Sequence, residues 1–354
     1  LIMRNYEKYQ KQIKKFTNYK SNYNSYLSTL PNFLKTIDLL HEHHLENCDE
    51  YKALSSMEQN MKINQGTVPI LPVELFKIFD LRSFRTSKAE KILKSSGTSG
   101  LNSKIYLNRE NSIMQSIILK KLMVENIGKD KIPMVILEKS NDFNKKVLSA
   151  REAGVLGFSQ IANEKINIDI SKKNSVKELE NFINKFKNQK ILIFGFTDTV
   201  WSFLIKESLN IDLSNCTLLH GGGWKKLENL KIDKIKFKKI LLERYNLMEI
   251  INYYGLIEQV GSIFFECKMG YFHTSVFSDI IIRDKYLNDL GKNNKGLVHL
   301  LSILPTSYPG ISILTQDIGM INFIDNCPCG KKGKSFSIFG RQSKAVLRGC
   351  SNVG

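Results

Sequence analysis

Proline is scarce and cysteine sparse in this chain. Seven prolines in 354 residues, with 42% hydrophobic and 10% aromatic residues, leave material for a sizeable core and exclude wholesale disorder. Six cysteines over this length are too few to staple a disulfide scaffold. No window approaches the roughly 18 uncharged apolar residues that a spanning helix needs. The start, Leu1-Ile2-Met3-Arg4-Asn5-Tyr6-Glu7, turns polar before an apolar run can build. No secretory signal is therefore expected, and the cytoplasm is the default compartment. Internal repeats are lacking too, as are RRM, zinc-finger and helix-turn-helix signatures.

What abounds is positive charge, a formal +18 carried mainly by lysine. Such a balance suits nucleic acid or an anionic membrane surface. Here the basic residues are spread along the chain, so a solvated lysine surface is expected, with no nucleic-acid partner.

Residues 1–65 read as a helical N-terminal region, with Leu34, Ile37, Leu39, Leu40 and Leu45 at helix-like spacing. These are expected to be mobile helices covering a larger body. His41, His43 and His44 are placed on a polar helix face rather than in a metal site. Residues 66–260 change pattern. Pro133–Leu137, Ile191–Phe194 and Thr217–Leu219 read as buried strands, alternating with helices over Asp198–Ser208, capped by Thr197 or Asp198, and Lys234–Tyr245. That alternation predicts an α/β sheet flanked by helices. Residues 261–354 read as a β-rich subdomain, from runs such as Ile280–Ile282, Leu297–Leu301 and Met320–Ile324.

Several segments carry chemistry. Lys94-Ser95-Ser96-Gly97-Thr98-Ser99-Gly100, followed by Lys104, combines backbone N–H groups freed by glycine, hydroxyl donors and a cation, which is what a phosphate requires. It is not a Walker A loop, because the G-x-x-x-x-G-K-[ST] spacing fails. His220-Gly221-Gly222-Gly223-Trp224 follows a buried strand, where open α/β sheets bind ligands. Tyr253-Tyr254-Gly255-Leu256-Ile257-Glu258-Gln259, Thr315-Gln316-Asp317-Ile318-Gly319 and Phe339-Gly340-Arg341 come next. Singly these are surface turns as readily as sites.

In this order, over roughly residues 70–350, the segments resemble the motifs of the adenylate-forming superfamily. Within it the chain looks most like the LuxE-type acyl-protein synthetases of bacterial luminescence systems. Leu71-Pro72-Val73-Glu74-Leu75-Phe76-Lys77, the Ser95–Gly100 loop, His220–Lys226 and Tyr254–Gln259 carry that likeness. It implies an N-terminal-type adenylation fold. It also implies that Ser95–Gly100 wrap the β- and γ-phosphates of ATP, and that Gly221, Gly222, Gly223, Tyr254 and Gly255 frame the adenine. Glu258 would hold Mg²⁺, Asp317 the ribose hydroxyls, and Arg341 the ribose or α-phosphate. The implied reaction is ATP-dependent conversion of a carboxylic acid, of fatty type, to acyl-AMP. The acyl group would then pass to a cysteine on the chain or on a partner protein, a reductase or carrier. An acyl- or aryl-CoA ligase using CoA, and a non-catalytic basic protein on a degenerate adenylation fold, are the alternatives.

There are departures from the pattern. Ile257 stands where the superfamily has threonine, and Gln342-Ser343-Lys344 replaces the usual hinge. Only 13 residues follow Arg341, so the large mobile C-terminal domain with its lysine is expected to be absent, or the chain trimmed.

Cysteine supplies a second signal. Cys267 and His273, then Cys327-Pro328-Cys329-Gly330, offer three thiolates and an imidazole, a tetrahedral set for structural Zn²⁺; the alternative is four separate reduced residues. Related phenylacetate-CoA-ligase-like enzymes carry a similar Cys-x-Cys-Gly before the Gly-Arg motif. Cys350, beside Arg348, matches the acyl-accepting cysteine of the LuxE type, and a thiolate is the right nucleophile for an acyl adenylate; an incidental cysteine is the other reading. Phe194, Trp201, Phe203, Leu204 and Gly154–Ser159 either line an apolar acyl pocket or belong to the core.

Overall fold

The computed structural model describes residues 2–57, 62–63, 66–84, 88–95, 102–139, 144–207, 209–222 and 234–342. Three helices open the chain, α1 (Ile2–Thr17), α2 (Tyr26–Asn47) and α3 (Asp49–Met57). Short strands β1 (Lys62–Ile63), β2 (Gly66–Thr67) and β3 (Leu71–Pro72) lead to α4 (Leu75–Ile78) and the hairpin β4 (Ala89–Lys94) and β5 (Lys104–Asn108). An alternating stretch follows: α5 (Arg109–Ile127), β6 (Ile132–Ile136), β7 (Val147–Ser149), α6 (Ala150–Phe158), β8 (Ala162–Asn167) and α7 (Ser175–Lys185). It continues through β9 (Ile191–Phe196), α8 (Thr197–Val200), β10 (Cys216–Gly221), α9 (Lys234–Tyr245), β11 (Glu249–Gly255) and β12 (Ile263–Phe265). Strands then take over: β13 (Phe272–His273), β14 (Ser278–Arg283), β15 (Gly296–Ser302), β16 (Ser312–Ile324) and β17 (Lys334–Arg341).

Local chemistry explains the boundaries. Asn108 caps α5 by accepting from the Asn111 N–H at 2.9 Å, and Gly128, at φ +83°, ends it. Ser149 and Glu152 form a reciprocal capping box at the start of α6. On α9, Phe237, Leu241 and Tyr245 fall four residues apart and are buried.

The central sheet runs β12-β11-β10-β9-β6-β8, parallel except for β12 at its edge. β6, β9 and β10 are nearly continuous apolar runs because both faces are covered. A second, antiparallel sheet runs β13-β17-β16-β15-β14, with β3 added alongside β16. A third is β5-β4-β7. One core cluster joins Tyr9 and Phe16 of α1, Phe33 and Ile37 of α2, Leu192 and Leu219 of the central sheet, and Ile281 and Leu301 of the second sheet. The apolar core thus runs across residues 65 and 260. Among the described residues no helix is long and apolar enough to cross a membrane.

Three details differ from expectation. α1 and α2 are packed into the core instead of lying loosely over it, and the buried Tyr9 hydroxyl donates to the Ile303 carbonyl at 2.9 Å. His41, His43 and His44 face inward: His44 is fully buried between Ser83 Oγ (2.6 Å) and the Pro305 carbonyl (3.2 Å), His43 reaches the Thr306 carbonyl and His41 the Tyr51 hydroxyl. The helix after β9 stays α-helical only through Val200. It then widens into a π-helical turn over Trp201–Lys206, which stacks Trp201 on Phe237 while burying Phe203 and Leu204. Phe194, Val155, Phe158, Phe203 and Leu204 are core residues.

Candidate active site and candidate metal centre

β9, β10 and β11 end side by side, with Gly221 level with Phe196 on one side and Tyr253 on the other. This is the carboxyl edge of a parallel sheet, where ligands bind. Gly221 is required there: a Cβ would lie 2.4 Å from the partly buried Tyr253 ring. Gly222 follows at φ +81°, a backbone position other residues avoid. Gly223 lies outside the described residues. Thr197, where β9 ends, places its hydroxyl 3.1 Å from the Gly221 carbonyl and from His220 Nδ1. Burial, then the Lys238 and Lys234 charges, push the His220 imidazole down to about 3, so it is neutral.

Tyr254, one position along β11, reaches across to the second sheet. Its hydroxyl donates to Asp317 Oδ2 at 2.6 Å. Burial, reinforced by the Asp317 charge, raises this phenol well above its ordinary range, so it remains a donor. Arg341 pairs with Asp317 in the β16–β17 register, and its Nε lies 3.9 Å from Oδ1. The Arg341 side chain is 75% exposed, which leaves the guanidinium free to turn toward a phosphate; as an ion pair alone it would be weak. A Cβ on Gly255 would meet the Ile263 side chain at 2.6 Å.

Glu258 sits on the single turn Ile257–Gln259 just after β11 and is 5% exposed. Burial raises its pKa, opposed by the Ser103 hydroxyl, its own backbone and the Lys77 and Arg341 charges. Ser103 Oγ is buried near this carboxylate but has hydrogen-bond geometry neither to it nor to any other described group. A desolvated carboxylate beside an unsatisfied hydroxyl fits a hard divalent cation, so Glu258 suits Mg²⁺.

The Ser/Gly loop joins β4 to β5. Ser95 and Ser103 close its mouth: the Ser95 N–H donates to the Ser103 carbonyl (3.1 Å), and the Ser103 N–H to Ser95 Oγ (2.8 Å). Ser96, Gly97, Thr98, Ser99 and Gly100 lie outside the described residues. Lys104, opening β5, faces Asp80 at 3.8 Å with both groups about half exposed, and stands directly opposite Lys94. Two lysines facing each other across a hairpin repel, and an anion in the loop would relieve them. The pairings of Ser103 and of Lys94 with Lys104 escape sequence reading, because they exist only once the hairpin register is set.

On the far part of the second sheet, the ligand atoms of Cys267, His273, Cys327 and Cys329 all lie within 4.8 Å of one another. Cys329 Sγ is 3.4 Å from His273 Nε2. Burial, then the Lys331 charge, push His273 down to about 4, which leaves its lone pair available, while burial raises the Cys267 and Cys329 thiols. His273 Nδ1 is buried without a partner among the described residues. Three soft donors and a neutral imidazole at this spacing fit tetrahedral Zn²⁺. Cys350 lies outside the described residues.

A family profile described as "Acyl-protein synthetase, LuxE" matches residues 30–353. A long-chain-fatty-acid–luciferin-component ligase of Aliivibrio fischeri is 24% identical over 329 residues, covering 87% of this chain and 84% of the relative. Its namesake from Vibrio harveyi is 22% identical over 336 residues, covering 88% and 84%. Among solved structures, an open conformation of 2-hydroxyisobutyryl-CoA ligase superposes with a TM-score of 0.70 at 14% identity, covering 92% of this chain and 80% of that one. That likeness shows the fold, the α/β architecture of adenylate-forming ligases. With the family profile spanning most of the sequence, the chain belongs to the LuxE family of acyl-protein synthetases.

Proposed function

We propose that this chain joins a fatty carboxylic acid to ATP as acyl-AMP, in the cytoplasm, and then passes the acyl group to a cysteine thiol. The reading rests on one arrangement in a chain of this family: Gly221–Gly222, Tyr254, Asp317 and Arg341 lie where the parallel strands end beside the second sheet, with Glu258 on the turn just after β11. Gly221 and Gly222 let backbone approach the adenine, with Tyr254 and Gly255 as its frame. Asp317, oriented by Tyr254, accepts from the ribose hydroxyls. Ser95–Gly100 and Lys104 hold the β- and γ-phosphates, and Arg341 the ribose or α-phosphate. A carboxylate oxygen attacks the α-phosphorus and the bond to pyrophosphate breaks, so charge grows on the phosphoryl oxygens, which the proposed N–H donors and cations would stabilise. Mg²⁺ on Glu258 would supply further neutralisation there. A thiolate then attacks the acyl carbon and AMP leaves. Cys350, or a thiol on a reductase or carrier partner, is the proposed acceptor. The Cys267, His273, Cys327 and Cys329 set is proposed to hold a structural Zn²⁺.

The test is pyrophosphate release with Mg²⁺ across a series of carboxylic acids, from acetate to palmitate and including benzoate. Release that depends on a long-chain acid is expected; none with any acid overturns the reading. Formation of acyl-CoA when CoA is supplied would make the chain a CoA ligase. With radiolabelled fatty acid, Cys350→Ser should retain acyl-AMP formation and lose the stable acyl-enzyme; unchanged labelling removes Cys350 from the mechanism.

A further inference from the structure

Two turns of the same form present the sulfurs of the candidate metal centre. Cys267 opens one, with the Gly270 N–H donating to the Cys267 carbonyl at 2.8 Å and Gly270 at φ +81°. Cys327 opens the other, with the Gly330 N–H donating to the Cys327 carbonyl at 2.9 Å and Gly330 at φ +91°. Glycine in the left-handed region lets the backbone curl beneath a sulfur. The second turn continues into Lys331, whose backbone N–H donates to Cys329 Sγ at 3.4 Å.

The Lys331 side chain is half-buried. Its Nζ donates to Asn126 Oδ1 at 2.6 Å and lies 4.5 Å from the centre of the Tyr23 ring. Asn126 Nδ2 donates to the Tyr23 hydroxyl at 2.8 Å, and the Tyr23 ring meets the His273 ring edge-on at 6.0 Å. The path therefore runs from Cys329 through Lys331, Asn126 and Tyr23 back to His273. Its members come from the α1–α2 connection, the end of α5, the second turn and β13.

Zinc with three thiolates and a neutral imidazole carries a net charge of −1, and a charge held away from water is costly unless matched. We infer that Lys331 is the counter-charge of this metal site and, through Asn126 and Tyr23, ties it to the N-terminal helices. The inference rests on the zinc reading above. Burial lowers the Lys331 pKa, while the charges of Cys267, Cys329, Glu125 and Glu249 act to raise it. Glu125, however, is engaged by the Asn22 N–H (2.8 Å) and Ser21 Oγ (2.5 Å). Among the described residues no ion pair joins Lys331 to either glutamate.

The experiment measures zinc content and zinc affinity, by competition with a chromophoric chelator, in the full chain and two variants. Lys331→Gln keeps a hydrogen-bond donor for Asn126 without the charge, and Lys331→Arg keeps the charge. The expectation is one zinc per chain in the unaltered protein, affinity about 10- to 100-fold weaker in Lys331→Gln, as for other outer-sphere partners, and recovery in Lys331→Arg. Cobalt-substituted protein should show the same tetrahedral thiolate spectrum in all three, which separates a charge effect from a collapsed site. Equal affinity of Lys331→Gln and the unaltered protein, both with zinc bound, overturns the role of Lys331 and leaves the zinc reading intact. Unaltered protein purified without chelator and holding far less than one zinc per chain overturns both. Acyl-AMP formation is not the readout, so neither result depends on that reaction.

Discussion

The Tyr254 hydroxyl donates to Asp317 Oδ2 at 2.6 Å, binding the end of β11 in the central sheet to β16 in the second. That bond fixes Asp317 where strands of two sheets meet, with Arg341 beside it on β17. Tyr254→Phe removes only the donor. A hydrogen bond to a charged group contributes about 1.5–3 kcal/mol, so the apparent KM for ATP should rise about 10- to 100-fold. Pyrophosphate-release kinetics at saturating acid would check this. An unchanged KM would detach Asp317 from nucleotide binding.

Gly221→Ala should damage the same edge by crowding. The added methyl would enter the Tyr253 ring, which packs against Phe158 and Phe194 and cannot yield freely. Overpacking of this kind costs about 1–3 kcal/mol. Thermal unfolding should show that loss, with nucleotide binding weakened in calorimetry. Tyr253→Leu combined with Gly221→Ala should recover part of the stability by making room.

Glu258 carries a pH signature. Its folded pKa is raised, first by burial, so the native state disfavours the ionised carboxylate. Below the unfolded pKa both states are protonated and nothing is lost; as pH rises through that value the unfolded state ionises more readily and the fold is weakened. Glu258→Gln should therefore have the higher Tm at pH 8, a difference that shrinks as pH falls toward 4. Carboxylate-dependent pyrophosphate release should drop sharply in the same variant. Full activity in Glu258→Gln would end its assignment to Mg²⁺.

Metal loss should be specific to one set of thiols. Cys48 and Cys216 are buried and free, away from the cluster formed by Cys267, Cys327 and Cys329. Cys267→Ser should lose zinc and lower the Tm by on the order of 5 °C or more. Cys216→Ala should retain zinc and lose only the packing of one small side chain. Mass spectrometry for metal and a thermal melt would compare them directly.

Much of the fold was legible from residue patterns. The apolar runs at Ile191–Phe194 and Thr217–Leu219 fall within β9 and β10, and Lys234–Tyr245 is α9, because burial on both faces or along one stripe leaves a period in the sequence. The widened turn after β9 leaves no such period: its Trp201 stacks on Phe237 of α9, a contact that spans two elements. The histidines of α2 were misplaced on a polar face for a similar reason. Their partners Ser83, Pro305 and Thr306 come from distant segments, and a hydrogen-bonded imidazole is as content in the core as in water.

The order of motifs from Ser95 to Arg341 was enough to point to the adenylate-forming fold and the LuxE-type family, since that likeness lies in residue type and order along the chain. Tertiary structure alone brought Lys331 onto Tyr23, set Lys94 opposite Lys104, and left Ser103 unsatisfied beside Glu258. Those relations depend on register and on the approach of segments far apart in the chain. No local pattern of apolar and polar residues encodes the distance between two side chains that meet only after the sheets have packed.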